Sequence, residues 1–387
     1  MGNSTIERRD VIKMFNLPKE VKFCEKCVVS NQRPRIVLNE EGICNACEYA
    51  KRLNEIDWDQ RGRELRDLCE SARSKNGYYD VVVAASGGKD SSFISYVLKE
   101  EYNMHPLTVT WSPLKYTEVG WENYQNLIHS GFDNIKFTPN GKVARLLTKY
   151  CFEEYGKPFQ AFIYGVVAFP LRVALQHKIP LVFYGENTEC AYGGNPHNEN
   201  SCKRDWDDVL AQSVVVSPSY WSKYGLSPTD LLPFQMPDVG ELKKMGVAWH
   251  FMGYYKKWIP QENYYLAKKY TGFSPNPDGR SEGTYSKYAS LDDRIDGFHF
   301  YLSYIKFGIG RATSDAAHEI RDGHLTREEG VRLVRKYDGE FPKKYFKEFL
   351  EYCDISEHRF WEIIDSWRSP HLWVKEDGQW KLRYQVS

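Results

Sequence analysis

A short segment of small and charged residues has the composition and spacing that hold a phosphate chain. Its members are Ser86, Gly87, Gly88, Lys89, Asp90, Ser91 and Ser92. The two glycines allow a sharp turn and let backbone N–H groups approach an anion. The apolar residues 81–85 predict a buried strand before the turn, and residues 91–101 predict a helix after it, whose first N–H groups face the same spot. We therefore expect a strand–turn–helix unit that binds phosphate, with an ordinary βα turn as the alternative.

This segment differs from two common phosphate-binding motifs. The Walker motif requires a glycine where Val83 stands, and Ser or Thr where Asp90 follows Lys89. The dinucleotide fingerprint G-x-G-x-x-G is also absent from the segment. The pattern that remains is S-G-G-x-D-S.

Four cysteines have the spacing of a metal site. Cys24 and Cys27 form one C-x₂-C pair, and Cys44 and Cys47 form a second pair sixteen residues later. This spacing falls in the range of four-thiolate zinc sites. Four thiolates complete a tetrahedron around the ion, so we predict a structural zinc ribbon. A redox dithiol and an iron–sulfur cluster are the alternatives.

A third segment predicts a magnesium site. The apolar run 180–184 ends in Gly185, and the carboxylates of Glu186 and Glu189 follow at once. Carboxylates at the end of a strand beside a polyphosphate are natural Mg²⁺ ligands. A solvated acidic loop is the alternative. Arg172, on the preceding helix, is a weaker phosphate ligand, with a surface helix arginine as the alternative.

The elements that position these residues alternate between strand and helix. Strands are predicted at 80–85, 105–111, 134–138 and 180–185, and helices at 91–101, 120–130, 142–155 and 165–177. This order predicts an α/β fold with a doubly wound parallel sheet. Ligands bind at the carboxyl ends of such strands, so Thr110, Trp111 and Asn187 would lie on the same rim as residues 86–92. A rim tryptophan is about as often core packing as a ligand contact.

A dense polar cluster follows in the C-terminal part. It contains Glu282, Lys287, Asp292, Asp293, His299, Lys306 and Arg311. If residues 291–311 form one helix, Asp292, Asp296 and His299 share a face. Charges on an otherwise apolar element are costly to bury without a partner, so these residues are candidates for substrate binding. A salt-bridged interior helix is an equally good alternative.

Composition limits the classes of function. Lys plus Arg (52) equals Asp plus Glu (52), which gives no global preference for nucleic acid or an anionic membrane. No apolar run has the length of a membrane span, and residues 1–6 lack a signal-peptide core. We expect a cytoplasmic protein without membrane insertion. The predicted domains are a lead-in and zinc ribbon (1–50), a helical connector (51–76), an ATP-binding domain with an aromatic insertion (77–275) and a mainly helical substrate-binding region (276–387).

The S-G-G-x-D-S pattern resembles the PP-loop ATP pyrophosphatase superfamily, whose sheet is of the HUP type. The resemblance implies that Ser86, Gly87, Gly88, Ser91 and Ser92 line the β,γ-pyrophosphate of ATP. It also implies that Asp90 helps place Mg²⁺, while Lys89 has a supporting role.

The whole set of motifs is similar to the N-acetyl sugar amidotransferases of bacterial surface-polysaccharide pathways. The set comprises the four cysteines, the PP-loop (residues 86–92), Tyr184–Asn187 with Tyr192–Gly194, and Glu282–Lys287 through Arg311. The resemblance implies that an acetamido group on a nucleotide sugar or acidic sugar becomes an acetamidino group, with ATP, Mg²⁺ and structural Zn²⁺ as cofactors. It implies a separate glutaminase and a cyclase-like subunit that channels ammonia.

A tRNA thiolase is the rival function, because such enzymes also join zinc cysteines to an S-G-G-K-D-S loop. They need further catalytic or cluster cysteines and a basic RNA-binding face. Here Cys151, Cys190 and Cys202 are isolated in the sequence and the net charge is zero.

Overall fold

The computed structural model describes residues 7–185, 192–194, 198, 200–206 and 216–387. Its centre is a five-stranded parallel sheet in the order β3-β2-β1-β4-β5. The strands are β1 Val81–Ala84, β2 Pro106–Trp111, β3 Asp133–Phe137, β4 Leu181–Tyr184 and β5 Ala248–Phe251. The strand order reverses between β1 and β4, and a crevice at such a reversal is where open α/β sheets bind ligands.

Helices cover both faces of this sheet, as a continuous apolar strand such as β1 requires. Those along the chain to the end of β5 are α1 Val11–Phe15, α2 Asn45–Arg52, α3 Trp58–Ser71, α4 Lys89–Tyr96, α5 Glu118–His129, α6 Gly141–Tyr155, α7 Gln160–His177, α8 Pro228–Leu231 and α9 Val239–Met245. Val82 faces a core shared with α6 and α7. Val81 and Val83 face the opposite core, shared with α3, α4 and α5. The predicted α/β fold with a doubly wound sheet is confirmed.

The C-terminal part is mainly helical, as predicted. Its elements, together with the helices that lead into it, are α10 Met252–Tyr255, α11 Pro260–Tyr270, α12 Asp296–Phe307, α13 Arg311–Arg321, α14 Arg327–Tyr337, α15 Phe346–Cys353, α16 Glu357–Ser366 and the hairpin strands β6 Trp373–Glu376 and β7 Gln379–Leu382. The core formed by α12, α15 and α16 also includes Val11 of α1. In the described residues, no helix is long and apolar enough to cross a membrane.

The cysteine segment packs on this C-terminal part and not on the sheet. Val28, Val29 and Ile36 share a core with Ala316 of α13 and Val331 of α14. A ribbon this small has no core of its own, so part of its apolar surface is covered by helices far along the chain.

Two predictions about elements are wrong. The sequence of residues 195–275, which is aromatic and broken by Pro and Gly, predicts irregular structure, yet this range contains β5, which pairs in parallel with β4. Residues 291–311 do not form one helix: α12 begins only at Asp296, and Gly308, with φ of 66°, ends it. Asp292 and Asp293 therefore lie in the preceding loop.

Candidate functional site at the carboxyl end of β1

The turn after β1 has the geometry of an anion site. Gly87 has φ of 87°, in the region that favours glycine, and Gly88 is the N-cap of α4 without a side-chain cap. The first N–H groups of α4 are therefore available to a ligand. Among the described residues, a Cβ on Gly88 would meet only Ser86 Oγ, at 3.4 Å, so this part of the chain leaves the space beside Gly88 open.

Gly87 is required by packing as well as by its backbone angle. A Cβ at this position would lie 2.6 Å from the carbonyl oxygen of Asn123 and from the N and Cα atoms of Tyr124. The turn therefore lies directly against the backbone of α5, which fixes its position over the sheet.

The serines of the PP-loop differ in how they are held. Ser86 Oγ accepts a hydrogen bond from Gly88 N at 3.4 Å, and Ser91 Oγ donates to Gly88 O at 3.0 Å. Ser92 Oγ is buried and has no hydrogen-bond partner in the described part of the chain. These contacts shape the turn and do not use the first N–H groups of α4, which can bind phosphate.

Asp90 and Lys89 form an ion pair at the start of α4. Asn263 of α11 donates to the other carboxylate oxygen of Asp90 at 3.3 Å, and Lys89 Nζ lies 5.3 Å from the ring centre of Tyr288. Asp90 is thus positioned from two elements, as a carboxylate that places a metal ion would need.

A cavity of about 170 Å³ adjoins the PP-loop and is shared with the C-terminal helices. Lys89 and Asp90 line one side, and Arg311, Asp315 and His318 of α13 line the other. Arg311 Nε donates to Asp315 Oδ1 at 3.0 Å, and the neighbouring carboxylates hold the pKa of Arg311 above its usual value against the opposing effect of burial. The two halves of the protein therefore meet at this cavity.

His318 is a residue of this cavity that the sequence analysis missed. Its ring packs edge-on against Tyr192, with ring centres 4.6 Å apart, and its buried Nε2 has no partner among the described residues. Burial lowers the pKa of His318 well below its usual value, and nearby cations add to this effect. The imidazole is therefore neutral at pH 7. No local pattern could identify it, because Ala316 and Ala317 beside it indicate only a packed helix.

The loop before α12 is attached to the PP-loop. Ser86 hydrogen bonds to Asp292 and moderates the rise in pKa that burial causes at this carboxyl group. A Cβ on Gly120 of α5 would lie 2.4 Å from the Cα of Asp292, which shows how closely the loop packs. Asp292 therefore lies beside Ser86. Its predicted role in substrate binding stays a prediction.

Asp293 joins the loop before α12 to the segment after β2. Its Oδ2 accepts a hydrogen bond from the backbone N–H of Leu114 at 2.5 Å, and its Oδ1 accepts one from the backbone N–H of Ile295, within the same loop, at 2.8 Å. Its predicted contact with substrate stays a prediction.

Lys306 and Arg172 both donate hydrogen bonds to backbone carbonyl oxygens. Lys306 is 2% exposed, and its Nζ donates to the carbonyl oxygen of Gly156 at 2.9 Å. Arg172 Nη2 donates to the carbonyl oxygens of Leu232 and Gln235, each at 2.9 Å. The prediction that Lys306 binds substrate is wrong, because its buried Nζ already donates to backbone carbonyls. The ligand role of Arg172 stays a prediction, because these contacts use one of its three nitrogens.

Thr110 and Trp111 belong to the core instead of the ATP site. Thr110 Oγ1 donates to the carbonyl oxygen of Ala85 at 2.6 Å, so it steadies the strand end that leads into the PP-loop. Trp111 is 3% exposed and packs among Phe137 and Phe234. The alternative of mere packing is correct for this tryptophan.

Three other predicted substrate residues lie near the site without a ligand contact that identifies their role. Glu282 accepts hydrogen bonds from the backbone N–H groups of Lys343 and Lys344. Lys287 Nζ lies 5.0 Å from the ring centre of Tyr264. His299 has a buried Nδ1 without a partner in the described ranges, and burial lowers its pKa to about 3. Glu186, Asn187 and Glu189 lie outside the described residues.

The four cysteines come together as predicted. Their sulfur atoms all lie within 4.8 Å of one another, with Cys24 Sγ and Cys47 Sγ 3.9 Å apart and Cys27 Sγ and Cys44 Sγ 3.8 Å apart. Sulfurs bound at about 2.3 Å around one tetrahedral ion are about 3.8 Å apart. A four-iron cluster places its ligands on four separate iron atoms and so spreads them further. The sulfur positions therefore fit a single four-coordinate ion.

The cysteine segment also contacts the site. Arg33 Nη1 donates to Ser314 Oγ of α13 at 3.4 Å, and its guanidinium lies 4.7 Å from the ring centre of Tyr192. Asn45 Nδ2 donates to the carbonyl oxygen of Gly194 at 3.2 Å. The segment thus supports one wall of the cavity beside the PP-loop.

A second cavity, of about 370 Å³, lies between the first turn of α5 and residues 276–300 and 342–345. Arg311 lines this cavity as well as the one beside the PP-loop. Its guanidinium lies 4.8 Å from the ring centre of Phe300, on the side of the second cavity. Arg311 is therefore the wall that the two cavities share.

Comparison with known proteins identifies the C-terminal part. Residues 282–386 match the family model of the C-terminal domain of WbpG-like LPS biosynthesis proteins. An uncharacterised protein of Methanocaldococcus jannaschii, MJ1599, is 30% identical over 88 residues, which is 22% of this chain and 31% of that protein. The match thus spans about a third of the length of this curated relative.

Two solved structures align with this chain at low similarity. An NMN synthetase from Francisella tularensis is 12% identical, with a TM-score of 0.29, over 63% of this chain and 93% of that one. The U34-tRNA thiolase NcsA from Methanococcus maripaludis with its [4Fe-4S] cluster is 14% identical, with a TM-score of 0.31, over 83% and 90%. The WbpG-like match over residues 282–386 confirms the resemblance to a family of surface-polysaccharide biosynthesis that the sequence motifs indicate.

Proposed function

We propose that this protein is an ATP-dependent amidotransferase that converts the acetamido group of an N-acetylated sugar or nucleotide sugar into an acetamidino group. The observation that carries the proposal is the cavity in which the PP-loop residues Lys89 and Asp90 face α13 of the WbpG-like domain. The candidate phosphate site and the WbpG-like region thus border the same cavity.

The proposed reaction balances in two steps. The acetamido oxygen attacks the α-phosphorus of ATP, and the bond to the β,γ-pyrophosphate breaks, which leaves an adenylated imidate. Ammonia then attacks the imidate carbon, AMP leaves with the oxygen, and ammonia loses a proton. The first step is needed because an unactivated amide has no adequate leaving group.

The residues around the PP-loop would bind and orient the reactants. The first N–H groups of α4, with Ser86 and Ser91, would hold the pyrophosphate, because a helix N-terminus stabilises negative charge. Asp90 would hold Mg²⁺, which neutralises charge on the phosphates when bound, and Glu186 and Glu189 are its further proposed ligands. Enclosure by α13 would keep water from the adenylate.

The four-cysteine site would hold zinc in a structural role. Four sulfurs leave no open coordination position, and the segment supports the wall formed by Tyr192 and α13. Zinc would therefore act on the cavity only through the position of this wall.

Ammonia would come from a partner. Glutamine hydrolysis needs an activated thiolate, yet Cys69, Cys151 and Cys353 are buried, and burial raises the pKa of each thiol. Cys202 is half-buried against the core around α3 and α4, and Cys190 lies outside the described residues. We propose a separate glutaminase and a cyclase-like channelling subunit, with residues 195–275 as the contact region and the cytoplasm as the compartment.

The test is ATP turnover to AMP across a panel of UDP- and CMP-linked N-acetyl sugars with ammonium at alkaline pH. We expect AMP in stoichiometric amounts with an amidine product for at least one sugar. AMP formation that depends on tRNA and on a sulfur donor, with no sugar active, would instead support the thiolase. Asp90→Asn protein is the control for AMP formed by a contaminant.

A further inference from the structure

The second cavity has no role in the ATP chemistry derived above, although it shares Arg311 with the PP-loop cavity. Its volume of about 370 Å³ is within the range of small-molecule sites. Thr117 and Glu118 at the start of α5 line it, and the same helix contacts Gly87 of the PP-loop two turns later. The cavity and the PP-loop therefore contact the same helix, about two turns apart.

The charges that line this cavity are balanced. Its cations are Arg280, Arg294, Arg311 and Lys344, and its acids are Glu118, Asp278, Glu282 and Asp293. Each cation is already in an ion pair: Arg280 with Glu340, Arg294 with Glu348 and Glu118, Arg311 with Asp315, and Lys344 with Asp278. A diphosphate would add negative charge beside cations that these acids already neutralise, so the lining disfavours it.

The geometry of two pairs explains why they are rigid. Arg280 binds Glu340 through both terminal nitrogens, at 2.6 and 2.9 Å. Arg294 donates from Nη1 to both oxygens of Glu348, at 3.0 and 2.9 Å, and from Nε to the carbonyl oxygen of Tyr116 at 2.8 Å. Side chains held by several hydrogen bonds keep their remaining donors and acceptors in fixed positions, where a neutral ligand can bind them.

Apolar surface completes the lining. Tyr345 and Phe300 contribute aromatic rings to the lining, and Leu291, Val119 and Pro342 add aliphatic surface. A pyranose ring has one face of C–H groups and a rim of hydroxyls. Apolar side chains beside fixed polar groups match both of these surfaces.

We propose that this second cavity binds the neutral pyranose ring of the acceptor sugar. The acetamido group of the bound sugar would lie at the Arg311 side of the cavity and face the PP-loop. The proposal rests on the proposed function, since it assigns the acceptor of that reaction to a place. The phosphate-bearing part of a nucleotide sugar would lie outside the balanced lining.

The test is saturation-transfer NMR with the full chain. The probes are methyl glycosides of N-acetylglucosamine, N-acetylgalactosamine and N-acetylmannosamine, their UDP-linked forms, and UDP alone. We expect the strongest transfer to the pyranose protons of at least one sugar, and Tyr345→Ala should raise its Kd about tenfold. Tyr78→Ala is the matched control, because this exposed tyrosine lies before β1, at the amino end of the parallel strands, whereas the PP-loop lies at their carboxyl end.

A second variant tests the charge argument and does not depend on the aromatic wall. Asp278→Asn frees Lys344 from its ion pair. We expect UDP alone to bind several-fold more tightly to this variant, while the Kd of the neutral glycoside changes less than twofold. Equal UDP binding by both proteins would contradict the balanced lining.

The outcomes separate this proposal from the proposed function. A sugar that drives AMP formation with a KM unchanged in Tyr345→Ala would overturn the cavity assignment and leave the amidotransferase intact. Pyranose binding that is lost in Tyr345→Ala, without AMP formation from any probe, would support the cavity and refute the reaction. Binding by no sugar of the panel, or transfer confined to uridine, overturns the assignment.

Discussion

The two glycines of the PP-loop should fail in different ways when each is changed to alanine. In Gly87→Ala the new Cβ would lie 2.6 Å from the backbone of Asn123 and Tyr124, at a backbone φ of 87°. The left-handed angle costs about 1–2 kcal/mol for a residue with a Cβ. Crowding against a packed backbone costs about 1–3 kcal/mol more. The expected loss in the free energy of unfolding is therefore about 2–5 kcal/mol.

Gly88→Ala should leave the fold intact. Gly88 has φ of −66° and ψ of 159°, which alanine adopts without strain, and within the described ranges the new Cβ would meet only Ser86 Oγ. We expect its free energy of unfolding to stay within about 1 kcal/mol of the unchanged protein. Because this Cβ enters the open space where we place the pyrophosphate, ATP affinity should fall even though stability does not.

Two measurements decide between these outcomes. Urea unfolding followed by circular dichroism gives the stability of each variant, and calorimetric titration gives the Kd for ATP with Mg²⁺. If Gly87→Ala were as stable as the unchanged protein, the close approach of the turn to α5 would be wrong. If Gly88→Ala bound ATP normally, the phosphate would not lie beside Gly88.

Four further predictions follow from the site and its supports. Asp90→Asn should abolish AMP formation while circular dichroism and the melting temperature stay near those of the unchanged protein; full activity would refute the PP-loop assignment. Cys24→Ser should remove about one equivalent of metal, measured by elemental analysis, and should destabilise the interface with α13 as well as the ribbon; unchanged metal content would refute the zinc site. His250 has its pKa lowered by burial to about 4, so the unfolded state takes up a proton first and stability should fall by up to about 3 kcal/mol as pH drops from about 6.5 to 4; urea midpoints that fall as steeply in His250→Gln would contradict this. The purified chain should form product from ammonium but not from glutamine alone, and product from glutamine without a partner would refute the need for a glutaminase.

The local parts of the site could be predicted from the sequence because they depend on short-range chemistry. The turn at Gly87, the two cysteine pairs and the strand β1 are each defined by neighbouring residues. β5 was missed because it has only four residues between the short helices α9 and α10, and its identity depends on pairing with β4.

The roles of buried polar residues could not be predicted in this way. Lys306 and Asp293 have the residue types of substrate ligands, yet Lys306 donates to Gly156 and Asp293 accepts from Leu114, both backbone groups more than 100 residues away. His318 joins the site only because α13 packs near the PP-loop. Tertiary packing decides these roles, and no local pattern encodes it.

The packing of the ribbon against α13 and α14 has a consequence for synthesis on the ribosome. Its cysteines are complete at residue 47, but Ala316 and Val331, which cover its apolar side, are made much later. At about 5–20 residues per second, the roughly 270 intervening residues take on the order of 15 to 50 s. During that time a nascent ribbon can bind its metal while Val28, Val29 and Ile36 remain uncovered. The newly made chain therefore exposes an aggregation-prone apolar surface that a chaperone would have to cover until the C-terminal helices emerge.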